Sequence, residues 1–291
     1  MNSLYHSGIR GKLYRLLFLL NSETKITVRT AAGDSEQAFT GENIGQGTNE
    51  GAIISAANLD YSMQNYFAAS KDELSYANLR LQPLIFQDDI LRLSKSVYEA
   101  QAGNVKLEKV AETKLLDFNV KKSAVMIFGN KKGKADISNQ LNSSPLTLCG
   151  KELNRSEHER YLGDYLSSGG LSDSVKITVD KRKGFVISNI YHIRQIIEDC
   201  RANVASGIIV GLEIWELAII PYLLNDSETW INISNNSFDE LDRLQTLFYR
   251  IIFATPRTCP TPALYWETGS MTMKHRIAKR KLASFKSVKN C

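Results

Sequence analysis

Residues 84–94 read LIFQDDILRLS. The apolar LIF and the alternating ILRLS have the pattern of two strands, and between them Asp88 and Asp89 place two like charges side by side. Two readings are open. Asp is common in turns, so the pair can be the polar tip of a hairpin. Alternatively the pair offers oxygen ligands to a divalent cation, since a hard ion such as Mg²⁺ prefers carboxylates. Two carboxylates about 4 Å apart repel by roughly 4 kcal/mol at an effective dielectric of 20, which water or a cation must absorb.

Outward from this stretch, LRLQPLIF (79–86) reads as the entering strand and ILRLS as the returning one. Upstream, residues 9–20 carry Leu13, Leu16, Leu17 and Leu20 at helical spacing, with Asn21 and Ser22 as a stop. KITVRTAA alternates as a strand, Gly33 and Asp34 form a turn, and residues 41–51 are a glycine-rich loop. A helical pattern follows over 48–69, on Ile53, Ala56, Ala57, Leu59 and Met63. Downstream, 96–118 is helical, with Gly103 weakening its middle by about 1 kcal/mol relative to Ala. SAVMIFG reads as a short buried strand, 130–144 as a polar loop, and LTLCG and RYLGDYLS as further short strands.

After Gly169 and Gly170 the strand signal stops. Helices are expected over 171–200, 202–224 and 236–254, the last with Phe238, Leu241, Leu244, Phe248 and Ile251 on one stripe. Pro256, Pro260 and Pro262 then break the chain before a final helix from Met271. The division is α+β over residues 1–168 and all-helical over 169–291.

Four scattered cysteines (149, 200, 259 and 291) show no C-x-x-C pair, which argues against a zinc site and for reduced thiols. The apolar LYRLLFLLN is too short to span a bilayer and lacks the layout of a signal peptide, so a soluble intracellular protein without membrane attachment is expected. The net charge of +5 permits a nucleic-acid partner without requiring one. Residues 271–291 hold seven Lys or Arg and no Asp or Glu. Lys274, Arg276, Lys279, Arg280 and Lys281 can contact a phosphate backbone or simply form a solvated cationic face.

The order of strand, GENIGQG, long helix, FQDD hairpin, helix, FNVKKS, short strand and RYLG resembles the palm of a reverse transcriptase of the non-LTR, LINE type. The resemblance covers nearly the whole chain. It implies a right-hand polymerase palm with partial fingers, an incomplete antiparallel sheet with helices, followed by an all-helical thumb-like domain. It also implies RNA-directed DNA polymerase activity on RNA template, DNA primer and dNTP, with two Mg²⁺ (or Mn²⁺) ions.

Asp88 and Asp89 would then be catalytic metal ligands, with Phe86 and Gln87 completing the aromatic-x-Asp-Asp hairpin. Gln46 and Gly47 would lie against nucleotide and template. Lys122, in an Asn-x-x-Lys-Ser element with Asn119 and Ser123, would sit near the triphosphate. Tyr161, Leu162 and Gly163 would grip the primer, and PYLLNDSETW (221–230) looks like the thumb-region segment. Trp230 and Trp266 read as core or interface rather than stacking platforms.

Departures accompany the match. Gln87 stands where the family usually has a small residue, and Gly51 and Ala52 replace its Ser-Pro. The family's first metal-binding Asp lies upstream of the helix matching residues 4–20 and is not in this sequence. The resemblance therefore implies an exposed strand edge, weak metal binding and little or no polymerase activity. Asp34, Asp60 and Asp164 have no spacing that recommends them as substitutes. The competing expectation is a degenerate retroelement remnant acting at most as a non-catalytic nucleic-acid-binding module.

Overall fold

The computed structural model describes residues 2–6, 8–21, 24–31, 33–40, 51, 54, 57, 59, 61, 75–76, 79–80, 83–114, 116–199 and 204–289. It is a mixed helix and short-strand structure in two units: Met1–Val125 with Lys131–Asn154, and Met126–Asn130 with Arg155–Cys291. The expected glycine-rich loop, with Gln46 and Gly47, lies outside the described residues, as does most of the 48–69 helix. Gly51, Ile54, Ala57, Leu59 and Tyr61 are helical.

In the first unit, Ser96 starts the helix Val97–Lys114. Its hydroxyl accepts from the Glu99 amide (3.2 Å), while the Glu99 carboxylate reaches back to the Lys95 amide (2.9 Å). Leu107, Val110 and Ala111 are its buried residues. The expected polar loop at 130–144 is instead a helix, Lys131–Ser143. Polar composition does not prevent a helix when one narrow face packs, and here Ile137 is half-buried and Leu141 fully buried, four residues apart. Strands Thr147–Leu148 and Lys151–Glu152 form a hairpin whose turn residues, Cys149 and Gly150, have φ of 50° and 70°. Positive φ at both central positions matches the right-handed strand twist.

Among the described residues every ladder joins only two strands, so backbone groups on the outer edges need other partners. Thr147 finds them on the helix. Its amide donates to Gln101 Oε1 (2.8 Å), and its carbonyl accepts from Asn104 Nδ2 (2.8 Å) and Gln101 Nε2 (3.2 Å). Asn104 Oδ1 in turn accepts from Arg92 Nη2 (2.9 Å). The Arg92 guanidinium also donates to the Glu99 carbonyl (3.2 Å) and to that of Ala100, and burial lowers its pKa. Gly103 is what makes room: a Cβ there would overlap the guanidinium.

Other local expectations shift. LRLQPLIF is not one strand: Leu79–Arg80 and Leu84–Phe86 are separate, with Pro83, which has no N–H to give a ladder, between them. SAVMIFG contributes only Ala124–Val125, and Phe128 is half exposed. Gly33 and Asp34 open the strand returning against Arg29–Thr30 rather than making the turn. The helix Gly11–Asn21 ends where expected, yet Leu13, Leu16 and Leu20 are 54%, 53% and 55% exposed, so its apolar face is not a core face here.

The second unit has the larger continuous core. Helix Leu171–Asp199 contributes Val175, Val179, Val186, Ile190 and Ile193 at helical spacing. It packs on helix Val204–Ile214, where Gly211 permits close approach, since a Cβ would lie 2.8 Å from Ile197 Cδ1. That second helix widens into a π turn, Trp215–Ile219, before Ile220–Leu223. Pro221 explains the widening, because its ring would crowd the carbonyl four residues earlier.

The stretch Ala205–Leu223 has the length and hydropathy of a membrane span, but Trp215, Ile219, Ile220 and Leu223 belong to the unit's core. Ser234 caps helix Asn235–Ile252 by accepting from the Ser237 amide (3.1 Å), and Leu241, Leu244 and Phe248 are buried as the stripe predicts. Instead of only breaking the chain, the prolines start another helix, Thr261–Thr268, with Pro262 in its first turn, where the missing N–H costs nothing. The last helix is Met273–Lys289.

The crowding at Gly103 yields a test by thermal denaturation. In an Arg92→Ala background Gly103→Ala should stabilise by about 1 kcal/mol through helix propensity. In the wild-type background that gain should vanish.

Candidate active site

The hairpin that carries the carboxylate pair forms as its pattern predicts. Leu84–Phe86 runs antiparallel to Asp89–Leu91, with Leu84 opposite Leu91, Ile85 opposite Ile90 and Phe86 opposite Asp89. Gln87 and Asp88 are the two turn residues, and Gln87 takes φ of 54°. A non-glycine residue there costs of the order of 1 kcal/mol, which the flanking pairs must hold.

Both aspartates are exposed, so their mutual repulsion falls toward the aqueous value of about 1 kcal/mol at 4 Å. An exposed pair therefore needs no cation to offset its repulsion, as a buried one would. Among the described residues no hydrogen bond or ion pair holds either carboxylate, leaving all four oxygens to solvent or ligand. No group of three or more His, Cys, Asp or Glu gathers among the described residues. Phe86 and Leu84 are each 55% exposed, so one face of the hairpin is open rather than buried.

Lys122 closes a single 3₁₀ turn, Val120–Lys122, and is exposed. The Asn119 carbonyl accepts from the Lys122 amide (3.0 Å) and the Ser123 hydroxyl (3.1 Å), so the Asn-x-x-Lys-Ser spacing builds one compact turn. Asp34 is tied to Arg29 (3.1 Å) on the surface, and Asp60 lies outside the described residues.

The Tyr161-Leu162-Gly163 element belongs to the second unit. His158–Tyr161 pairs with Asp164–Ser167, and Leu162 and Gly163 form the turn with φ of 50° and 96°. Directly after it, Asp164 accepts from Arg182 Nη2 through Oδ1 (2.5 Å) and from Trp230 Nε1 through Oδ2 (2.9 Å). Arg182 is 6% exposed and also donates to the carbonyls of Gly163 (3.0 Å), Leu223 (3.2 Å) and Asn225 (2.9 Å). One guanidinium thus joins the 158–167 hairpin to the 221–230 segment, two motifs far apart in sequence.

The C-terminal helix meets the same segment. Arg280 donates to the Leu224 carbonyl (2.7 Å), and Lys281 to that of Trp230. Arg276 makes a bidentate pair with Glu216 (2.6 and 2.7 Å), and Lys274 lies 5.9 Å from the Phe238 ring centre. Lys279 is exposed. Much of the basic run therefore binds the protein itself. Trp230 is buried, as expected of a core residue, whereas Trp266 is 88% exposed.

Sequence reasoning did not single out Arg182, because it stands within DKRK (180–183) among other charges. The available signal was position: Arg182 interrupts the apolar stripe between Val179 and Val186. Nearby, burial first, then the charges of Asp164 and Glu228, push the Asp226 carboxyl above its usual range. No protein-family model matches the chain, and no curated protein matches it.

Trp230→Phe keeps an aromatic side chain but removes the donor to Asp164 and part of the buried indole, and should cost at least about 2 kcal/mol in denaturant unfolding. A raised carboxyl pKa means the folded state binds the proton more tightly, so that stabilisation is full below about pH 4 and is lost as pH rises through the folded value. Asp226→Asn should therefore melt higher than wild type at pH 7, with the difference shrinking toward pH 4.

Proposed function

We propose that the chain carries palm and thumb-like parts of an RNA-directed DNA polymerase of the LINE-type retrotransposon class. Its reaction would be nucleotidyl transfer from dNTP to a DNA primer on an RNA template. The observation that carries this reading is the two-residue turn that presents Asp88 and Asp89 together, after an aromatic residue, at an exposed hairpin tip. The donor set suits Mg²⁺ or Mn²⁺, because both side chains supply hard oxygen ligands not occupied by the described residues. When bound, such an ion supplies Lewis-acid neutralisation of charge on the triphosphate.

The chain's own residues take the remaining roles in this reading. Asp88 and Asp89 hold the cation, and Phe86, Gln87, Gln46 and Gly47 border nucleotide and template. Lys122, exposed at the end of its turn, offers a cation to a phosphate. Tyr161, Leu162 and Gly163 sit on a turn anchored by Arg182, a rigid base for a primer strand. Among the described residues no third acid or histidine joins Asp88 and Asp89, and two carboxylates hold a hydrated ion weakly, so polymerase output should be low.

The test is primer extension on an RNA template with Mn²⁺ and Mg²⁺, beside Mn²⁺ binding followed by electron paramagnetic resonance. Extension should be slight, and Asp88→Ala should abolish it. Asp88→Asn with Asp89→Asn should remove a weak Mn²⁺ site. Robust extension that survives Asp88→Ala would contradict the assignment. Salt-sensitive nucleic-acid binding without extension, indifferent to Asp88, would favour a non-catalytic binding module.

A further inference from the structure

The second unit contains a cleft of about 1020 Å³ between one face of Leu171–Asp199, one face of Asn235–Ile252 and the 254–261 loop. Its volume is that of a small-ligand pocket. It shares no residue with the carboxylate hairpin, nor with the Arg182 cluster.

Its lining divides by chemistry. Ile197, Leu247 and Ile251 supply an apolar wall, and Tyr191, half exposed, an accessible aromatic ring. Arg243, Arg250 and Arg257 line the same space, and among the described residues none of the three forms an ion pair. Arg250 is held from one side only, through Nη2 to the Cys259 carbonyl (3.2 Å) and Thr261 Oγ1 (3.4 Å). With Arg194 the lining holds four arginines against three acids. Glu198 is paired with Arg194 of the same lining (2.7 Å), Asp242 accepts through Oδ1 from the Tyr265 hydroxyl (3.2 Å) and the Met273 amide (2.8 Å), and Asp239 is the third acid.

Unpaired guanidinium groups beside an apolar wall and an aromatic face select a ligand with an aromatic body and a phosphate group. Guanidinium is suited to phosphate by its planar fork of donors, and tyrosine to a planar ring. We infer that this cleft binds a free phosphate-bearing aromatic ligand of nucleotide size. The site is independent of the Asp88–Asp89 hairpin and needs no metal.

The experiment is calorimetric titration of the full chain in EDTA with ATP, adenosine, inorganic phosphate and a twelve-nucleotide single strand. ATP should bind saturably with Kd below about 1 mM, and adenosine and phosphate each at least ~10-fold more weakly. The exposed double variant Arg243→Gln, Arg257→Gln should weaken ATP at least ~10-fold with an unchanged melting curve, and Tyr191→Ala should also weaken it. Asp88→Ala with Asp89→Ala should leave ATP binding intact, which separates this site from the polymerase reading. Absence of saturable ATP binding, binding unchanged in the double variant, loss in the aspartate variant, or binding of the oligonucleotide alone would each overturn the inference.

Discussion

The Arg182–Asp164 pair is the constraint on which the second unit depends. A guanidinium 6% exposed has lost most of its hydration, at a cost of several kcal/mol that one carboxylate seldom offsets. The structure adds the carbonyls of Gly163, Leu223 and Asn225, so the cation is surrounded by acceptors from two stretches far apart in sequence, 163–164 and 223–225. Those carbonyls gain equally. They belong to the hairpin turn, to the C-terminal end of Ile220–Leu223 and to the turn after it, none with ladder partners, and buried carbonyls need donors. The ion pair thus stands in for secondary structure at the place where hairpin, long helix and the 221–230 segment meet. Arg280 and Lys281 continue the pattern on the Leu224 and Trp230 carbonyls.

The first unit solves a related problem with neutral amides at Thr147 and charged groups beside them. Its strands pair only two by two, so Thr147 takes its outer partners from Gln101 and Asn104, and Arg92 lies across the helix where Gly103 leaves space. Glu108 accepts from the Cys149 amide at the neighbouring turn. In both units, polar residues that look like surface decoration in the sequence are internal fasteners. That bears on function, because a basic helix whose Arg276, Arg280 and Lys281 are engaged internally has fewer charges to give to nucleic acid. Arg243, Arg250 and Arg257 of the Tyr191–Arg257 cleft have no such engagement with carboxylates among the described residues, although Arg194 in the same lining pairs with Glu198.

Legibility followed the strength of local patterns. The 84–91 hairpin and the Asn235–Ile252 stripe were readable because strand alternation, turn residues and helical period agreed, whereas RYLGDYLS, read as a short strand, turns back on itself at Leu162 and Gly163. Lys131–Ser143 was missed because its packed face is one residue wide, and Thr261–Thr268 because prolines signal a start as well as a stop. Exposure was the least readable property: Leu13, Leu16, Leu84 and Phe86 have core chemistry and open surroundings. At the candidate site the turn and the adjacency of Asp88 and Asp89 were legible. Arg182 was not, because a buried cation looks like any other charge until its acceptors are brought in from distant sequence.

The central structural claim is that Asp164 and Arg182 act as one interaction fastening the hairpin turn to the long helix. A double-mutant cycle with Asp164→Ala, Arg182→Ala and the double variant, read by denaturant unfolding of the full chain, measures it directly. The coupling should be at least about 1.5 kcal/mol, beyond what independent sites show. Additivity within about 0.3 kcal/mol would contradict the account.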